Sequence, residues 1–259
     1  MVSRGRAPWY AFYGQRFAGN DPPFFDPAEY SWVKTLEDNC TVIRDEILAF
    51  LGREDRLKDY FKTTLMFPPH SWKTMGFYYW KYKIHRNCRD CPHTAAILES
   101  LPNMTAGSIS VLEPNSNINP HHGDTDAIFR VHLGLVIPDA LPACGLQVGR
   151  ETHGWKEGKA LIFCDAHIHS SWNRSNQRRL VLIVDIVRPE FVERTNEVCS
   201  HVLASTFVQM VYERFTWLNR LSARPRLALY FVARVVSRAL LPLQRRAGFP
   251  PPRGLKPSP

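Results

Sequence analysis

No stretch of this chain reaches the roughly 18 uninterrupted apolar residues that a membrane-spanning helix needs, so the sequence gives no reason to expect one. The opening residues, MVSRGRAPWYAF, lack the apolar core of a secretory signal. Cysteine is sparse and scattered. Cys40, Cys88, Cys91, Cys144, Cys164 and Cys199 suggest no disulfide framework and fit a reducing cytoplasm better. Internal repeats are missing as well. Acid is nearly absent from one region: after residue 200, Glu213 stands alone against ten Arg and Lys, so this segment accounts for the whole formal net charge of +9. Residues 1–200 are then neutral overall, and no nucleic-acid partner is expected for that part.

What is present is ordinary for one globular domain with appendages: 259 residues, 44% hydrophobic and 22% charged. Residues 1–27 read as an irregular arm. Val33, Leu36, Val42, Ile43, Ile47, Leu48 and Leu51 recur at helical spacing, which predicts helix through residues 28–65, and a second helix is predicted around 93–101. From Ser108 the pattern shortens to SISVLEP, IFRVHLGLVIP, GLQVG, KALIF and RLVLIVDIVRP, each bounded by turn formers. Several short strands with little helix between them predict an antiparallel sandwich or jelly roll. After Pro189 helix returns, and GFPPPRGLKPSP reads as a disordered end. The expected division is an arm and helical layer at 1–69, a catalytic domain at 70–190 and a basic amphipathic tail at 191–259.

Metal-competent residues cluster inside the β region: His121 and His122 in NPHHGDTD, His167 and His169 in FCDAHIHSSW. Imidazoles from separate strands suit iron. A facial triad would place a carboxylate two residues after the first His, but Gly123 stands there. Either Asp124 or Asp126 curls back, or no carboxylate binds.

The segments PHHGDTD, RVHLGLVIP, WKEGKALIF, FCDAHIHSSW and RRLVLIVDIVRP, in that order over roughly residues 70–190, resemble the aspartyl/asparaginyl β-hydroxylase family. The resemblance implies a double-stranded β-helix, a jelly-roll or cupin-like core that is mainly β with flanking helices. It implies Fe(II) held by His121 and His169, with no third protein ligand. 2-Oxoglutarate and O2 would be co-substrates, contacted through Ser110, Arg130, His132 and Arg179, with Arg179 gripping the distal carboxylate. His122 and His167 fall where the family does not use His, and are expected as polar wall. Arg130 and His132 alternate with Phe129, Val131 and Leu133, so they share a strand face, and inward charge needs a partner such as a dicarboxylate. The alternative for Arg179 is an ion pair with Asp185 or Asp165.

The activity so implied is oxidative decarboxylation of 2-oxoglutarate coupled to C–H hydroxylation, first of all β-hydroxylation of Asp, Asn or a related residue in a peptide. An amino acid or a lipid acyl chain is the alternative substrate, and a catalytically silent β-barrel binding module the alternative of another class. Cys88 and Cys91 form a CxxC near His85 and His93, but no second CxxC completes a zinc site. The aromatic stretch Trp72, Phe77, Tyr78, Tyr79, Trp80 and Tyr82 is expected to pack between the helical layer and the barrel. In the tail, LALYFVARVVSRALL sets Arg234 and Arg238 opposite Leu229, Val232, Val236 and Leu240, between Pro225 and Pro242. Either this helix lies peripherally on an anionic membrane, or both tail helices pack on the barrel or on a second copy.

Overall fold

Alternating apolar residues make Ile128–Val136 and Arg179–Val187 the central strands of the protein, seen in a computed structural model that describes residues 6–13, 15–52 and 56–246. In chain order the first strands are β1 (Phe24–Phe25), β2 (Lys58–Asp59), β3 (Met66–Phe67), β4 (Trp72–Tyr79), β5 (Tyr82–Lys83) and β6 (Met104–Leu112). Next come β7 (Ser116–His121), β8 (Ile128–Val136), β9 (Cys144–Val148) and β10 (Glu151–His153). The last are β11 (Ala160–Phe163), β12 (His169–Asn173) and β13 (Arg179–Val187). One sheet runs β1-β11-β8-β13-β6-β4-β2, with β5 on β4; the other runs β10-β9-β12-β7-β3. Within both sheets the ladders are antiparallel.

The large sheet is apolar on both faces for different reasons. Outward, Val131, Leu133, Leu182 and Val184 lie beneath Leu36, Ile43, Ile47 and Leu98 of the helices α1 (Val33–Asp38), α2 (Cys40–Leu51) and α4 (Pro92–Ser100). Each aliphatic side chain buried there stabilises the fold by roughly 1.5–3 kcal/mol. Pro92 opens α4 with a φ already suited to helix, and the Glu46 carboxylate of α2 accepts from the otherwise unbonded N–H groups of His93 and Thr94. Inward, Phe163 and Val181 meet Leu146 and Val148 of the small sheet, while Trp72 and Leu112 meet Met66 and Ile118. The fold is therefore mainly β, a jelly roll of two facing antiparallel sheets with flanking helices.

Three expectations needed correction. Helix does not persist to residue 65: it ends at Leu51, and Lys58–Asp59 and Met66–Phe67 are recruited as edge strands of the two sheets. The aromatic stretch is not simply an interlayer. Met75, Phe77 and Tyr78 pack under the helices, but the stretch forms strand β4 and a turn with positive φ at Trp80 and Lys81. That turn carries Trp72, Tyr79 and Trp80 to the cleft described below. In the tail, α5 (Thr195–Arg214) is followed by α6 (Ala223–Arg246), which Pro225 and Pro242 do not delimit. Pro225 lies in the first turn, where no intrahelical acceptor is lost, and buried Leu241 anchors the end that contains Pro242. The GFPPPRGLKPSP end lies outside the described residues, as does segment 53–55 after α2; the remaining short helix, α3, spans His85–Asp90.

Candidate active site

His121 ends β7 and His169 begins β12, directly opposite each other in the ladder, with ring centroids 4.2 Å apart. Their meeting depends on one irregularity. Ile118 pairs with Ser171 and His121 with His169, so β7 uses one residue more than β12 over this stretch. Strict alternation would point Ile118 and His121 to opposite faces; the extra residue turns both inward. Pro120, which has no N–H for the ladder, is tolerated within that bulge.

Both rings are fixed in the same tautomer. His121 Nδ1 lies 2.8 Å from the Asn119 carbonyl and His169 Nδ1 lies 2.9 Å from the His167 carbonyl. A carbonyl only accepts, so each Nδ1 is the protonated, donating nitrogen and each Nε2 carries a lone pair. Burial holds both imidazoles down to about 3, neutral at physiological pH. These are the properties of metal-ligating histidines.

The carboxylate missing at position 123 comes from elsewhere. Asp124 accepts from Ser205 and Gln209 on α5, and Asp126 pairs with Arg6 and the Trp9 N–H, so neither curls back. Instead Asp165, in the turn between β11 and β12, sets Oδ1 3.5 Å from His169 Nε2. A Cβ on Gly123 would fall 1.4 Å from Asp165 Oδ2, so only glycine fits there. Two electron-rich atoms facing each other at 3.5 Å repel unless a cation, proton or water lies near both. The sequence offers Asp165 only as a partner for Arg179, because a His-minus-four spacing across a turn carries no periodic signal. Among the described residues no group of three or more His, Cys, Asp or Glu forms a metal cage.

Arg130, on β8, does not stand open for a ligand. Its Nε and Nη2 donate to both oxygens of Asp185, each at 2.8 Å, and Nη1 donates to Asp165 at 2.6 Å. Burial pushes both carboxyls upward against the pull of Arg130, and their combined charge keeps the guanidinium firmly protonated. The carboxylates once considered as partners of Arg179 thus belong to Arg130.

Arg179 is 1% exposed, yet its Nε has no hydrogen-bond partner and no carboxylate pairs with it among the described residues. Its guanidinium lies over the Trp155 ring, 4.5 Å from the centroid, and burial pulls it down to about 10, still charged at neutrality. His132 is buried beside it, stacked at 6.1 Å on Trp155, with Nδ1 also unpartnered; burial and then Arg179 hold it neutral. The Trp155 Nε1 is a third unpartnered donor. Ser110 sits on the neighbouring strand, where it accepts from Trp72 Nε1 at 3.0 Å. Phe163 joins the two groups, 4.9 Å from His132 and 5.4 Å from His169. Buried, unanswered donors around an uncompensated cation fit a carboxylate guest.

Above His121 opens a cleft of about 470 Å³. Tyr60, Trp72, Tyr79, Trp80, Val202 and Met210 form much of its wall, with Arg130 and Asp165 at its base. His122 and His167 lie to the side: His122 is exposed against Trp9, and His167 bonds the Asp21 carbonyl beside Phe17. They are wall and arm contacts, as their positions implied. Cys88 and Cys91 are buried free thiols in the helical layer, while His85 and His93 are exposed.

A jelly-roll barrel of the cupin type with an inward histidine pair at its mouth is the class that fold and site define. More narrowly, the chain belongs to the aspartyl/asparaginyl beta-hydroxylase family, whose model matches residues 37–189. The ornithine lipid ester-linked acyl 2-hydroxylase of Rhizobium tropici is 32% identical over 173 residues, 65% of this chain and 62% of that one. The aspartyl/asparaginyl beta-hydroxylase of Homo sapiens is 34% identical over 184 residues, 65% of this chain but 23% of that one. The human aspartate beta-hydroxylase domain-containing protein 2 is 32% identical over 202 residues, covering 71% and 52%. The match therefore spans less than two thirds of each relative's own length. Among solved structures, a viral collagen prolyl hydroxylase in its 2OG complex aligns at a TM-score of 0.35 and 11% identity over 58% of this chain and 90% of that one. The fold assignment rests on this chain's own strand order and not on that likeness.

Proposed function

We propose that this chain is an Fe(II)- and 2-oxoglutarate-dependent hydroxylase. The observation that carries the proposal is Arg179: a buried cation with no carboxylate partner among the described residues, in the same barrel as two neutral histidines whose rings lie 4.2 Å apart. When bound, Fe(II) with 2-oxoglutarate and O2 supplies the oxidant that replaces a substrate C–H by C–OH, releasing succinate and CO2. His121 and His169 would hold the metal, their tautomers set by the Asn119 and His167 carbonyls. Arg179, with His132 and Ser110, would anchor the co-substrate's far carboxylate, and Trp155 and Phe163 keep that floor dry. Arg130 holds Asp165 and Asp185 in place at the cleft base, where Asp165 can orient a water beside His169.

For the substrate, the aromatic and aliphatic cleft wall favours an acyl chain, reversing the order expected from sequence. A carboxylate side chain would find no open cation in Arg130, which is already answered by two acids. A peptidyl Asp or Asn is the second reading, favoured by the partly exposed edge of Arg130 in the same cleft. In this scheme residues 70–190 carry the chemistry, flanked by 1–69 and 191–259, in a cytoplasmic enzyme whose tail contacts a membrane.

The test is succinate release by the protein reconstituted anaerobically with iron, offered acyl lipid, free amino acids or Asp- and Asn-containing peptides, with the gain of one oxygen followed by mass spectrometry. His121→Ala and His169→Ala should abolish turnover, and His122→Ala and His167→Ala should leave it measurable. Undiminished activity in either of the first pair would refute the site. A protein that retains no iron and never consumes 2-oxoglutarate would instead be a silent binding module.

A further inference from the structure

The tail is split between two environments. One side of α5 buries Val198 and Val202 against the barrel, and α6 packs on α5 through Tyr230, which meets Val208, and through Leu241, both buried. Tyr230 hydroxyl meets His201 Nδ1 at that contact. The opposite side of α6 is apolar and bare: Phe231, Val232, Val235 and Val236 follow one another along a stripe 44–68% exposed. At the connecting turn, Phe215 and Trp217 are exposed in the same way. A soluble surface rarely leaves so much contiguous apolar area uncovered.

The charges around this face are of one sign. Arg214, Arg220, Arg224 and Arg226 lie in or next to the connecting turn, Arg238 is exposed on α6, and Glu213 is the only acid after residue 200. A two-fold pairing of this face with another copy would bring two such basic sets together, which like-charge repulsion opposes. An anionic surface has no such conflict. No described helix is long and apolar enough to cross a membrane, so the fitting geometry is one in the plane of the headgroups. Met210, half exposed on α5, belongs to the cleft wall, beside Gln209 and Thr206.

We infer that the α5–α6 hairpin is a docking face for an anionic lipid bilayer, with Trp217 and the Phe231–Val236 stripe entering the interface and the arginines at headgroup level. Docking in this way sets the cleft mouth against the bilayer. The purpose of the face rests on the acyl-chain reading, but its existence does not.

The experiment is flotation of the full chain with vesicles of phosphatidylcholine alone or mixed with phosphatidylglycerol. The chain should float with the mixed vesicles at low salt and progressively less as salt rises. Arg220→Ala, Arg224→Ala and Arg238→Ala together should lower partitioning on the order of a hundredfold, at roughly a factor of five per arginine. Val235→Asp should reduce it on both vesicle types without changing the thermal midpoint. Brominated lipid should quench a fluorescence component that Trp217→Phe removes. The inference is overturned if the chain floats with neither vesicle at low salt, or if the variants float as well as the parent. It is equally overturned if Val235→Asp dissolves a dimer in sedimentation equilibrium while vesicle binding is absent. If the chain docks but oxidises only soluble peptides, the acyl reading falls and the docking face stands.

Discussion

Arg130 and Arg179 both project from the large sheet into the barrel, two strands of one ladder supplying them, yet they are solvated in opposite ways. Arg130 is gripped by Asp165 and Asp185 and reaches the cleft; Arg179 is deeper and has no acid partner among the described residues. The first is a finished ion cluster whose role is to hold two carboxylates near the histidines. The second is an unfinished one, and the missing half is what the 2-oxoglutarate proposed above would bring. A buried charge left unpaired costs the fold, so its retention points to function more strongly than a satisfied pair does.

The largest effect should come from breaking the finished cluster. Arg130→Met leaves Asp165 and Asp185 buried without a cation and should destabilise the protein by roughly 3–5 kcal/mol in urea unfolding. Arg179→Met, by contrast, removes a charge with no partner, and the protein without ligands should be as stable as the parent or more so. Equal losses in the two variants would erase the distinction. Next, Arg179→Met should weaken 2-oxoglutarate binding by roughly 2–5 kcal/mol, read by calorimetry, and 2-oxoglutarate should no longer raise the thermal midpoint. Arg179→Lys should restore only part of this, since an ammonium lacks the planar fork.

A smaller effect is expected at the junction of the two regions. Gly123→Ala puts a methyl group where the Asp165 carboxylate lies, and should cost about 1–3 kcal/mol of stability while turning that carboxylate away from His169. Unfolding together with the crystal structure of the variant would show both. The smallest is a pH effect from His132, which faces both arginines. Its folded-state pKa lies well below 6.5, so the unfolded chain takes up a proton that the folded chain refuses. Stability is then fully present above about 6.5 and falls by up to about 1.4 kcal/mol per pH unit below it. The difference between parent and His132→Asn over pH 7 to 5 isolates this share from those of His121 and His169; a pH-independent difference would mean that His132 titrates alike in the folded and unfolded chain.

Much of this floor was legible in the sequence. Alternation in β8 put Arg130 and His132 on one face, and the structure keeps them there. The five apolar runs became β6, β8, β9, β11 and β13. What was not legible is equally specific. Strands β7 and β12, SNINPH and HSSWN, are too polar to read as strands because their outer face meets solvent. Strand β4 buries residues on both faces and so shows no period of two. The helix signal of residues 28–51 ran on into charged sequence that the sheet edges later claimed. The partners of Arg130 needed tertiary contact between β8, β13 and the turn holding Asp165, which no local pattern contains.

The bulge at Pro120 has a meaning for how such a site can change over generations. Because one extra residue between Ile118 and His121 sets the direction of the ring, the ligand pair can be dismantled without altering either histidine. A substitution at Pro120 that lets β7 pair regularly at unchanged length swings His121 to the outside, while the barrel core stays sealed by Ile118. Loss of the facing pair is thus one substitution away, and that lineage would still carry both histidines in its sequence.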